Sequence, residues 1–224
     1  MKKWLSYGIL ILLIPAVILA GALLFAQKQY AWICLCVTVL SCVPFFLHFE
    51  KRETNTRRLI LIAAMVALSV VGRILFTPLP GFKPVTAIVV ITAMYFGPEA
   101  GFMTGSLSAV ISNFSFGQGP WTPFQMFSWG IIGLIAGLFA KPLLKNKLLL
   151  SAYGVVSGVL FSLLMDIWST LWADGVFRLS RYLAAILSAT QFMIIYAVSN
   201  VVFLLLFTKP IGKILERVKT KYAL

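Results

Sequence analysis

The sequence predicts an all-α protein that crosses a lipid bilayer several times. Three observations carry that expectation. Apolar runs of about 20 residues recur along the chain, the length an α-helix needs to cover a hydrocarbon core roughly 30 Å thick. The 224 residues are 61% hydrophobic and only 11% charged, more apolar surface than a soluble domain of this size would bury. The net charge of +13 is concentrated in the short connections between apolar runs, where it reads as membrane topology rather than nucleic-acid binding. No polar stretch is long enough to be a fused ATPase or receptor domain.

The apolar segments fall at about 5–26, 30–49, 59–76, 85–96, 100–114, 121–140, 148–173 and 182–208. The first follows Met1-Lys2-Lys3-Trp4 and imitates a secretory signal. At about 20 residues, with a second span close behind, it is expected to be a retained transmembrane helix. The second segment carries all three cysteines, Cys34, Cys36 and Cys42. That crowding argues against a disulfide framework or a zinc site. Residues 50–58 are the most polar stretch and divide the chain into an N-terminal pair of spans (1–58) and a six-segment unit (59–224). Segments 85–96 and 100–114 are short for a bilayer and are joined through Gly97, Pro98 and Glu99. A bent pair packed inside the bundle is expected there. A basic tail closes the chain.

With the N-terminus inside and the spans alternating, fourteen of the nineteen Lys and Arg fall on the cytoplasmic side and four outside. Arg73 lies within a segment. This asymmetry predicts a plasma-membrane protein with both termini cytoplasmic. Three outer connections follow in the six-segment unit: 77–84, 115–120 and 174–181.

The middle connection is unusual. Gly117, Gly119, Pro120 and Pro123 oppose a continuous helix across it. Phe116, Gln118, Trp121, Thr122 and Gln125 surround that break with rings and hydrogen-bonding groups, the chemistry of a ligand contact. Two charges lie within apolar segments in the same outer half of the bilayer, Arg73 and Asp166. Charges at that depth face a partner or a wet cavity, so the two either pair with each other, line a pocket, or do both. Phe82, Trp129, Trp168, Trp172 and Tyr182 gather at this level too, as an interfacial belt or as pocket walls. Asn113 precedes the break as a helix cap or a ligand contact. His48, the only histidine, sits at the opposite side of the membrane. The sequence contains no Ser-His-Asp set, no metal-ligand cluster and no phosphate loop, which argues against an enzyme. Ala63 and Ala67, with Ala64 beside them, form a small-residue face that lets another helix approach closely, within this chain or from a partner.

Taken together, residues 59–208 resemble the S-component of an energy-coupling factor (ECF) vitamin transporter. The run Gly117–Met126 carries most of the likeness, supported by residues 83–87 and 96–101. Within that family the run is most similar to S-components assigned to cobalamin. The resemblance implies a six-helix substrate-binding fold with the vitamin near the outer face. It further implies a transmembrane coupling (T) subunit docked on the Ala63/Ala67 motif, and two ATPase (A) subunits that bind the ATP. No cofactor is then expected in this chain itself. The expected ligand contacts are Arg73, Phe82, Asn113, Phe116, Gln118, Trp121, Thr122, Gln125, Asp166, Trp172 and Tyr182. Two other readings remain open: a smaller pyridine or pyrimidine vitamin, and a secondary transporter coupled through Arg73 and Asp166. The N-terminal pair has no place in the six-helix pattern.

Overall fold

The computed structural model describes residues 2–24, 55–174 and 177–222, together with residues 32–33, 35–37, 39–41 and 43. Cys34, Cys42, His48 and residues 50–54 lie outside the described residues. The elements among those described are helical throughout, so the chain is an all-α membrane protein.

The first helix, α1 (Lys2–Gly8), passes through a π-helical turn (Ile9–Leu13) into α2 (Ile14–Leu24). Its residues Pro15, Ile18 and Leu19 approach Phe124, Phe127, Leu164 and Ile167 of the main bundle. The described residues between 32 and 43 are helical as well, and Cys36 is exposed there as a free thiol.

The main bundle begins with α3 (Asn55–Leu75). It starts inside the polar stretch that the sequence suggested as a linker, with Thr56 and Arg57 exposed in its first turn. Ile62, Met65, Val66, Ser69 and Arg73 are buried at helical spacing, whereas Ala63, Ala64, Ala67, Leu68 and Val71 face outward. Next comes α4 (Val85–Phe96), in which every residue but Tyr95 is buried. Its twelve residues span about 18 Å, too little for a bilayer. It is the central post of the bundle and touches α3, then α5 (Pro98–Phe116), α6 (Trp121–Leu138) and the short α7 (Ala140–Lys145). The α4–α5 turn is made by Gly97 at φ +95°, a left-handed value that favours glycine, with Pro98 opening the next helix. The expectation of a short, buried segment is met by α4, whereas α5, at 19 residues or about 28 Å, is longer than expected and exposes Ile111 and Phe114.

The helices α5 and α6 cross at backbone contact. A Cβ on Gly101 would lie 2.6 Å from the carbonyl oxygen of Gly133, and one on Gly105 would lie 2.5 Å from that of Trp129. Small residues in place of a hydrophobic driving force are the usual means of close helix packing within a membrane. The long helices α8 (Lys147–Asp174) and α9 (Leu179–Tyr222) complete the bundle. They meet closely at Gly158, where a Cβ would lie 2.5 Å from the backbone nitrogen of Ala197. Among the described residues, three stretches, Thr56–Leu75, Lys147–Ala173 and Leu179–Lys221, are long and apolar enough to cross a membrane.

Two local expectations need correction. Pro123 does not belong to the break between α5 and α6, which comprises residues 117–120. It occupies the third position of α6, where a missing N–H costs no intrahelical bond. The basic tail is not a separate segment, since α9 runs on through Pro210 to Tyr222. One proline removes a single ladder hydrogen bond, and a helix of 44 residues keeps the rest.

Candidate functional site

The α3–α4 and α5–α6 connections meet at one end of the bundle, termed the loop end. Beneath them lies a cavity of about 510 Å³, counting the space at its mouth. Arg73 reaches it from α3, Gly81 and Lys83 from the α3–α4 loop, and Val85 and Thr86 from the first turn of α4. Gln125 and Trp129 of α6, Phe161 of α8, and Tyr196 and Asn200 of α9 complete the lining. Its aromatic wall is continuous: Trp129 stacks on Phe161 at 5.2 Å, and Phe161 meets Tyr196 edge-on at 5.4 Å.

A buried polar network holds the cavity's cation in place. Arg73 Nη1 donates to Asn113 Oδ1 at 2.8 Å and to Ser112 Oγ. Asn113 Nδ2 donates onward to Thr122 Oγ1 and Gln125 Oε1, each at 2.9 Å. Thr122 donates to Gln118 Oε1 at 3.1 Å, and Gln118 Nε2 donates to the Val110 carbonyl at 2.7 Å. The carbonyl of Gln125 is thus spent on Asn113, and its amide NH₂ remains for the cavity. Asn113 is fully buried, so it is the hub of this network and not an exposed helix cap. The α3–α4 loop is clamped separately: Lys83 N donates to Ser199 Oγ at 2.9 Å, and that hydroxyl donates back to Lys83 O at 3.1 Å. Arg73 and Lys83 converge on one ring, each 4.6 Å from the centre of Phe116. Arg73 also lies 5.1 Å from the ring centre of Trp129. Burial, and then the charge of Arg73, hold the Lys83 ammonium below the ordinary lysine value.

A family model for the S component of the ECF-type riboflavin transporter matches residues 53–217. The chain belongs to this family. It is therefore a multi-pass membrane protein and a transporter component, the substrate-binding subunit of an ECF transporter, in a family that works with T and A subunits. A UPF0397 protein of Vibrio atlanticus is 29% identical over 99 residues, 42% of this chain and 53% of that protein. The match therefore spans about half the length of that relative. A UPF0397 protein of Aliivibrio fischeri is 26% identical over 160 residues, 62% of this chain and 85% of that protein. No solved structure matches.

The S-component fold brings some of the sequence-predicted residues together and separates others. Arg73 and Gln125 line the cavity; Asn113, Thr122 and Gln118 support them from behind; Phe116 lies under both cations. Trp121 instead meets Trp168 edge-on at 5.8 Å, and Trp168 stacks on the exposed Trp172 at 6.0 Å. This tryptophan ladder lies outside the lining. Phe82 packs with Phe203 at 5.1 Å and Phe76 at 6.4 Å, and Tyr182 donates to the Leu163 carbonyl at 3.1 Å. No ion pair joins Arg73 to Asp166; that carboxylate is buried on α8 outside the lining, with Oδ2 lacking a hydrogen-bond partner, and its charge acts on Tyr196 of the lining. Tyr196 and Asn200, which the sequence reading missed, are four apart on α9 and face the cavity together. The signal was present as polar groups at helical spacing in an otherwise apolar run. Ala63, Ala64 and Ala67 are exposed on α3.

Proposed function

We propose that this S-component captures a flat heteroaromatic vitamin in the cavity at the loop end, from outside the cell, and passes it to a T subunit. The observation that carries this reading is the lining itself. An aromatic wall of Trp129, Phe161 and Tyr196 shares the cavity with the side chains of Gln125 and Asn200, the latter already donating to the Gly154 carbonyl at 3.2 Å. Such walls bind ring systems through their faces, and a few fixed polar groups select among them. Riboflavin is the first candidate, because the family description names it. On this reading Arg73, Gln125 and Phe116 act at the ligand, while Asn113, Thr122 and Gln118 position them. The exposed Ala63, Ala64 and Ala67 face is the docking surface for the T subunit, and ATP is hydrolysed by two partner A subunits. Both termini are cytoplasmic.

Cobalamin is the second reading, favoured by the run Gly117–Met126. A corrin would need a far wider mouth, with Trp121, Trp172, Phe82 and Tyr182 drawn into contact by movement of the loops. Titration calorimetry on the purified chain decides between the two. Riboflavin or a bicyclic heteroaromatic compound is expected to bind in a one-to-one ratio. Trp129→Ala is expected to cost about 2 kcal/mol, roughly thirtyfold in affinity. Saturable binding of cobalamin, with no response to the smaller compounds, would overturn the first reading in favour of the second.

A further inference from the structure

We infer that the cavity selects a ligand bearing an anionic group, a carboxylate or a phosphate ester attached to the ring system. The inference rests on the reading of this cavity as the ligand site. Two cations, Arg73 and Lys83, reach the space, and no carboxylate stands among its lining residues. Arg73 is 8% exposed, and the oxygens it meets on Ser112 and Asn113 are neutral. Neutral acceptors satisfy the geometry of a guanidinium without cancelling its charge. Asp166 is not spent on either cation, since no ion pair joins it to them.

The backbone adds to the imbalance. Val85 and Thr86, the first two residues of α4, line the same cavity, and Pro84 caps that helix without any side-chain acceptor. The positive end of a twelve-residue helix therefore faces the two cations. Two like charges beside a helix N-terminus at this depth are costly unless something compensates them. The ring of Phe116 compensates in part, through cation–π contact with both. An anion on the ligand would complete the compensation. The position of Lys83 is also built rather than incidental, because Ser199 holds both its N–H and its carbonyl.

The test uses matched pairs that differ by one anionic group, titrated into the full chain in lipid nanodiscs. Nicotinamide against nicotinate examines a carboxylate; riboflavin against riboflavin 5′-phosphate examines a phosphate ester. In at least one pair the anionic member is expected to bind about tenfold more tightly or better, the effect of one charge-assisted contact. Lys83→Met is expected to bring that ratio to within about threefold of unity. It lies in a loop, so it is the informative variant should Arg73→Met fail to fold. Equal binding of both members, or a preference that survives Lys83→Met, overturns the inference alone. Failure of all four compounds to bind overturns it together with the reading of the cavity as a heteroaromatic site.

Discussion

The two ends of α4 use the same materials to opposite effect. At its C-terminal end, the carbonyl of Tyr95 accepts from Lys219 Nζ at 2.9 Å, and that of Phe96 accepts from Arg58. Both cations also lie over the Phe96 ring, at 5.9 and 5.8 Å. At the N-terminal end, Arg73 and Lys83 lie over Phe116 in the same manner. Each end thus has two cations, one of them from α3, and one phenylalanine ring. The ends differ in the direction of the helix and in acidic company, since the Glu216 charge acts on Lys219. Its C-terminus presents unpaired carbonyls and the negative end of the dipole, which neutralise the cations. Its N-terminus presents N–H groups and the positive end, which cannot. One end is a closed clasp between α3, α4 and α9; the other sets two cations on a cavity with no carboxylate among its lining residues. Cations are structural where the helix terminus can absorb them and available for recognition where it cannot.

The strongest way to break this contrast is to remove the hub that holds Arg73. Asn113→Leu keeps the volume but leaves Arg73, Thr122 and Gln125 without their shared partner. The expected cost is about 3 kcal/mol or more, since a buried charge loses a hydrogen bond and two polar neighbours lose theirs. The measurement is the thermal midpoint and the folded yield in detergent. Asn113→Asp sharpens the contrast instead. It supplies Arg73 with the carboxylate that the loop end lacks, making the two ends of α4 alike. This variant is expected to fold and to lose any preference for anionic ligands. A preference that persists in Asn113→Asp would show that the free charge of Arg73 is not what the ligand senses.

A smaller effect is expected at the clasp. Arg58→Gln combined with Lys219→Gln leaves the two carbonyls to water or to weaker donors, at a cost of about 1–2 kcal/mol. The thermal midpoint should fall while ligand affinity, read by calorimetry, stays within about twofold of the parent. A large loss of affinity would mean that the two ends are coupled through α4 and do not act separately.

The sequence displayed much of this arrangement. Segments 85–96 and 100–114 were too short to span a bilayer and were joined too tightly for a loop, which located the buried post. Arg73 was conspicuous because a charge at that depth demands a reason. Asn113, Thr122 and Gln125 were conspicuous because they flank a helix break. The aromatic residues were less legible. Trp121 meets Trp168 edge-on and Trp172 stacks on it at the loop end, while Trp129 lines the cavity, yet all four belong to one outer belt by position alone. A ring at a membrane interface has the same sequence signature whether it faces lipid, another ring or a ligand. Asn200 and Tyr196 were hidden for another reason. A neutral polar group in a long apolar helix carries no topological penalty, so it attracts no notice until the helix's neighbours are known. By sequence Lys83 is one of the outer-loop charges and the first residue of the run 83–87. Its depth comes from the clamp by Ser199, a residue 116 positions away.

The last and smallest effect is the pH dependence of stability conferred by Lys83. Burial and the neighbouring Arg73 lower its folded-state value below the ordinary 10.5. In the window between that lowered value and 10.5, the unfolded chain therefore binds more protons than the folded one. The stability of the ligand-free protein is then expected to rise with pH across the window and to be insensitive to this group below it, where both states are protonated. Lys83→Met should remove the rise, because methionine keeps the length of the side chain without the proton. An anionic ligand should flatten the rise from the other direction, since it favours the ammonium in the folded state. Thermal midpoints of parent and Lys83→Met, followed over the same pH range with and without ligand, supply the measurement. Parallel curves for the two proteins would mean that Lys83 is solvated at the loop end and exerts no charge within the cavity.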